Sequence, residues 1–142
     1  MGTRVQVVID CADPGRLAPF WAEVLGYEEQ SPPEGFATWE DWARENGIPE
    51  EDWNKAGSVV DPEGKGPRFY FQQVPEEKVV KNRVHVDVNV GDGLSGDERR
   101  MKVEQEAARV ESLGGSKLRA IDERDEFWIV MADPEGNEFC LQ

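Results

Sequence analysis

The chain has 142 residues, enough for one compact domain with a real core and too few for two large independent ones. Hydrophobic residues make up 38% and aromatic residues 9%, which is ordinary for a folded protein, so the mean hydropathy of −0.66 reflects a heavily charged surface. Sixteen Lys and Arg against 30 Asp and Glu leave a net charge of −14, a field that repels nucleic acid and anionic lipid and attracts cations. The chain shows no charged-then-apolar leader and no run of about 20 apolar residues, so neither export nor membrane insertion is expected and a cytoplasmic location follows. Cys11 and Cys140 are two and far apart, which is neither a disulfide framework nor a CxxC metal pattern.

Residues Arg4 to Cys11 alternate as a strand, with Val5, Val7 and Ile9 on one face and Gln6, Val8 and Asp10 on the other. Asp13-Pro14 starts a helix in which Asp13 is the expected cap; Leu17, Phe20, Trp21, Val24 and Leu25 recur at helical spacing until Gly26. Pro19 should remove one hydrogen bond and bend that helix. A polar insertion from Gln30 to Ala56 carries Trp39, Trp42 and Trp53, with a short helix expected over 39–46. Three roles are open to these tryptophans: stacking on a planar ligand, acting as a lid, or anchoring the insertion onto the sheet. Asp61-Pro62-Glu63-Gly64 is a type I turn signature, and Arg68 to Gln72 reads as a strand.

Pro75 to Lys81 is the expected linker between a first module of about residues 1–74 and a second of about 82–142. Arg83 to Val90 then gives the cleanest alternation in the chain, with Val84, Val86, Val88 and Val90 on one face and Arg83, His85, Asp87 and Asn89 on the other. A charged helix from Asp97 runs through Val103, Ala107 and Val110 to Gly114-Gly115. Strands are expected over Lys117–Ile121, Phe127–Met131 and, after Asp133-Pro134-Glu135-Gly136, over Asn137–Leu141. Lys78, Lys81, Asn82 and Arg83 form a basic patch for which a structural pairing, with Glu76 and Glu77 or with a second module, is expected over anion binding. The order of strand, helix, strands and DPEG hairpin is thus given twice.

The segments DCADPGRLAPFWAEVLGY, DPEGKGPRFYFQQVPEEKVVKNRVHVDV and MADPEGNEFCL resemble the glyoxalase, bleomycin resistance and extradiol dioxygenase superfamily, the vicinal oxygen chelate proteins, and within it a glyoxalase-like subgroup. The resemblance covers nearly the whole chain apart from the Trp-rich insertion. It implies an α+β fold of two βαβββ modules whose curved mixed sheets pair around a cleft, within one chain or across a homodimer. It also implies that, in the enzymes of the family, a divalent metal is held by the first and last strands of each module. Carried over, those positions fall on Gln6 and His85 and, measured from the two hairpins, on Tyr70 and Cys140. Neither of the latter is the expected carboxylate, so no metal cofactor is expected. If a metal binds, Gln6 and His85 are its ligands, joined by Glu138, which lies roughly 6–7 Å from Cys140 along the same strand face.

The resemblance places Gln6, Val8, Asp10, Tyr70, Gln72, His85, Asp87, Asn89, Glu138 and Cys140 on the cleft face. Trp39 and Trp53 of the insertion, outside the resemblance, are expected as further ligand contacts. The leading expectation is a protein that binds a small, cationic or planar organic ligand without the usual metal. The alternative is a lyase or isomerase, divalent-metal-dependent or not, acting on an oxygenated small molecule, with His85 as base and Tyr70 stabilising developing charge.

Overall fold

The structure is a computed structural model and describes residues 2–142. The chain divides into two compact units, Met1–Glu77 and Lys78–Gln142. The first runs β1 (Val7–Cys11), α1 (Pro14–Leu25), β2 (Glu28–Glu29), α2 (Trp39–Glu45), β3 (Ala56–Val60) and β4 (Phe69–Gln73), with a 3-10 turn at Glu50–Asp52. The second runs β5 (Val86–Val88), α3 (Gly96–Ser112), β6 (Ser116–Glu123), β7 (Glu126–Ala132) and β8 (Glu138–Leu141).

Each unit forms one four-stranded mixed sheet, and the two have the same topology. The orders are β1-β4-β3-β2 and β5-β8-β7-β6, with the opening strand parallel to the closing one and all other pairs antiparallel. This is the expected pair of βαβββ modules in an α+β chain. A parallel pair needs a long crossover. Here the helix and middle strands provide it.

In the first unit the apolar stripe of α1 explains the packing. Leu17, Ala18, Phe20, Trp21 and Val24 are buried, as are Val59, Phe69 and Phe71 of the sheet. Trp21 stacks on Phe69 at 5.8 Å between ring centroids. In the second unit Val103, Ala107 and Val110 of α3 are buried together with Ile129, Met131, Phe139 and Leu141. Truncation to Ala is expected to cost about 3–5 kcal/mol at Trp21, Phe71 or Phe139 and about 2–5 kcal/mol at Leu17, Ile129, Met131 or Leu141.

The repeated DPEG hairpins are built alike. Gly64 and Gly136 have φ of 69° and 86°, the left-handed conformation that glycine adopts without strain. The carboxylate of Asp61 accepts the backbone N–H groups of Glu63, Lys65 and Gly66 at 2.8–3.0 Å. Asp133, buried, accepts the N–H groups of Glu135 and Asn137 and the Asn137 side-chain amide at 2.8–2.9 Å.

Two local expectations are corrected. The opening strands are shorter than the alternation suggests, Val7–Cys11 and Val86–Val88, and Val5 and Val84 are 72% and 84% exposed. Both are edge strands with one neighbour each, so their ladders extend only as far as β4 and β8 do. Asp13 makes no side-chain cap to α1. Asn54 does so instead: its Oδ1 accepts the N–H of Gly15 at 2.7 Å while its Nδ2 donates to Asp13 Oδ1 at 2.8 Å. Of the two pairings expected for the basic patch, Lys81 makes the one with the second module, to Glu138. The short helix of the insertion is present and capped, since Thr38 Oγ1 accepts the N–H of Asp41 at 3.1 Å. Among the described residues no helix is long and apolar enough to cross a membrane.

Candidate functional site

Alternation along a strand sends one set of side chains to the helix and the other to the opposite, open face. In the second unit that open face carries a cavity of about 320 Å³. Its β5 and β8 wall consists of His85, Asp87, Glu138, Cys140 and Gln142, with Lys81 preceding β5. Its β6 and β7 wall consists of Arg119, Ile121, Glu126, Trp128 and Val130.

The register explains the assembly. Asp87 lies opposite Cys140, Cys140 opposite Val130, and Val130 opposite Arg119, one row across all four strands. His85 Nδ1 stands 3.4 Å from Asp87 Oδ1, and both side chains are about half exposed at 43% and 47%. The Cys140 thiol is pushed above its ordinary range, first by burial and then by the Asp87 charge, to which it donates a hydrogen bond; Arg119 and Lys81 pull weakly the other way. Glu138 is held below the ordinary carboxylate range by the hydrogen bond and charge of Lys81, with Lys78 and Arg119 adding to it against desolvation. Asn82 Oδ1 accepts the Glu138 N–H at 3.2 Å, which ties the segment before β5 to β8.

The first unit brings its expected residues together differently. Val8 faces Tyr70 and Asp10 faces Gln72 across β1 and β4, so the four share a face. Gln6 precedes β1, and its Oε1 accepts from Arg68 Nη1 at 2.6 Å. The same guanidinium donates from Nε to Gln30 Oε1 at 2.7 Å and lies 5.3 Å over the Tyr70 ring. The tryptophans hold the insertion: Trp39 Nε1 donates to the Gln30 carbonyl at 2.7 Å and Trp53 Nε1 to the Ile48 carbonyl at 3.0 Å. Arg44 covers Trp53 at 4.9 Å, and Trp39 meets Trp42 edge to face at 5.5 Å. Asn89 does not line the second-unit cavity but accepts from Gln142, which does, at 2.9 Å.

A divalent ion can be tested against these donors. Of the ligands expected from sequence, Gln6 is occupied by Arg68 and Glu138 by Lys81. The group that does converge is His85, Asp87 and Cys140, whose ligand atoms all lie within 4.8 Å of one another. Imidazole, carboxylate and sulfur together suit a borderline divalent ion better than a hard one. The fit is therefore to a different donor set, and Cys140 would have to give up its proton to join it.

Sequence reasoning missed Lys81, Arg119, Glu126, Trp128 and Gln142 as lining residues. The signal for β6 and β7 was present in the alternation of Arg119 with Ile121 and of Glu126, Trp128 and Val130, whose partners Phe127, Ile129 and Met131 are buried.

Comparison with known proteins agrees with this architecture. Among solved structures, the fosfomycin resistance protein FosX from Mesorhizobium loti superposes with a TM-score of 0.61 at 14% identity, covering 99% of this chain and 91% of that one. A FosX mutant from Listeria monocytogenes, complexed with Mn(II) and 1S,2S-dihydroxypropylphosphonic acid, gives 0.64 at 12% identity over 100% and 92%. A glyoxalase/bleomycin resistance protein/dioxygenase family enzyme from Burkholderia phytofirmans PsJN gives 0.59 at 15% over 96% and 94%. At such identities the likeness is one of fold. No curated protein matches in sequence. The family model for the glyoxalase-like domain matches residues 6–142, and the chain belongs to that family, within the vicinal oxygen chelate superfamily.

Proposed function

We propose that the protein binds a small organic molecule in the cavity on the open face of its second sheet. The observation that carries this reading is the lining itself: a concave wall in which Trp128, Ile121 and Val130 offer apolar contact while His85, Asp87 and Arg119 offer directed polar groups. The FosX mutant structure from Listeria monocytogenes is a complex with Mn(II) and a phosphonic acid, a small organic ligand on the same fold. The first-unit residues Gln6, Asp10, Tyr70 and Gln72, with Trp39 and Trp53, form a second group of candidate contacts.

Ligand titration followed by Trp emission and melting temperature tests the proposal, with Trp128→Phe identifying which emission responds. Binding that survives His85→Ala and Trp128→Phe unchanged would place the ligand elsewhere.

One observation supports an enzyme as the second reading. Asp87 occupies the Nδ1 side of His85 at 3.4 Å, leaving Nε2 as the nitrogen for proton transfer with a bound substrate. A carboxylate-oriented imidazole of this kind would serve as the base of a lyase or isomerase acting on an oxygenated molecule. A divalent ion held by His85, Asp87 and Cys140 would supply Lewis acidity to substrate oxygens. Metal analysis of protein purified without chelator separates the readings: stoichiometric zinc, nickel, iron or manganese would overturn a metal-free binder.

A further inference from the structure

The cavity's charges are arranged for more than the attraction of a cation, and the inference drawn from them rests on the ligand-binding reading above. Arg119 and Asp87 stand at opposite ends of one cross-strand row, with the buried, uncharged Val130 and Cys140 between them. Three strand intervals separate the two backbones by roughly 14 Å, so side chains standing off the sheet leave a gap of several ångströms over an apolar floor. Trp128 borders that floor in the adjoining row, opposite Ile121.

The partners of the charged groups distinguish them. Lys81, the other cation of the lining, is neutralised by Glu138. Among the described residues no hydrogen bond or ion pair engages Arg119, so its planar fork of donors is open to an oxyanion. Asp87 accepts the thiol of Cys140 and lies 3.4 Å from His85, and a carboxylate retains acceptor capacity beyond two such neighbours.

We propose that the cavity selects amphoteric aromatic molecules, with a carboxylate on Arg119, an ammonium group on Asp87 and a flat apolar body over Val130 and against Trp128. The overall negative field draws cations of any shape. Arg119 adds a requirement for an anionic end that this field alone would penalise.

The experiment compares three probes by isothermal titration at physiological salt: 4-(aminomethyl)benzoate, 4-methylbenzoate and 4-methylbenzylamine. The first is expected to bind about tenfold or more tightly than either of the others, because each removed charge forfeits one charge-assisted contact. Arg119→Gln should erase its advantage over 4-methylbenzylamine, and Asp87→Asn its advantage over 4-methylbenzoate. Equal affinity for all three, or for the amphoteric probe and the amine, overturns the inference while leaving ligand binding intact. No binding of any probe, with Trp128 emission unchanged, overturns both. Should Asp87→Asn disturb folding, the wild-type ranking together with Arg119→Gln decides the matter.

Discussion

Cys140 occupies the closing-strand position where a carboxylate was expected, and its surroundings keep it a thiol. Burial, the Asp87 charge and the hydrogen bond to Asp87 all favour the protonated form, so it should be a poor nucleophile near neutral pH. In a Cys11→Ala background, alkylation by iodoacetamide at about pH 8.5 is expected to be several-fold slower than that of a free cysteine peptide. Asp87→Asn removes the neighbouring charge and should accelerate it; an unchanged rate would show that burial alone restrains the thiol. Asp133 illustrates the other use of a buried polar side chain. Its carboxylate takes three N–H groups, and removing it leaves them without that acceptor. Asp133→Ala should therefore cost about 2–4 kcal/mol in denaturant unfolding, whereas Asp133→Asn, which retains one acceptor oxygen, should cost less.

At the scale of elements, the β6–β7 hairpin turns through Arg124 and Asp125 at φ of 51° and 64°. Two successive left-handed residues define a type I′ turn, for which Asn-Gly is the favoured pair. Replacing Arg124-Asp125 by Asn-Gly should stabilise the protein by about 0.5–1 kcal/mol, read as a rise in the urea midpoint at constant slope. A fall would mean that Arg124 or Asp125 makes a contact worth more than the turn strain. Such turn chemistry was legible where it was repeated. The two DPEG hairpins revealed the duplicated unit, and counting from them reached Tyr70 and Cys140, which the parallel ladders set opposite Val8 and Asp87 in equivalent registers. Helices were legible from their apolar stripes. Strand ends were not, because Val5 and Val84 alternate as well as their neighbours do, and only the length of the pairing strand decides where an edge ladder stops. Asn54 and Lys81 were opaque for a related reason: each acts on a partner distant in sequence, Gly15 and Glu138, and local pattern carries no trace of that.

Over the whole molecule, charge and folding are coupled through pH with opposing signs. The net charge of −14 at pH 7 disfavours any compact state through self-repulsion, and acidification toward the pI of about 4.4 relieves it. Against this, three carboxylates are held below their ordinary range. Asp61 is lowered by the N–H groups of Gly66, Glu63 and Lys65. Glu138 is lowered by Lys81; at Glu106 partial burial, which opposes ionisation, is outweighed by Lys102 and Arg109. A depressed carboxylate contributes stability above its unfolded value and loses it as pH falls through the folded one, so this loss sets in as pH drops to about 4.5 and grows below about pH 4. The melting temperature should therefore rise from about pH 7.5 to about pH 5.5 and fall below about pH 4. Salt provides the control. Raising ionic strength from about 0.01 to 0.15 M shortens the screening length from about 30 to 8 Å, so it should raise the melting temperature at pH 7.5 and have little effect near the pI. A melting temperature that drops with salt at pH 7.5 would mean that local pairs such as Arg100–Asp122 outweigh the net repulsion.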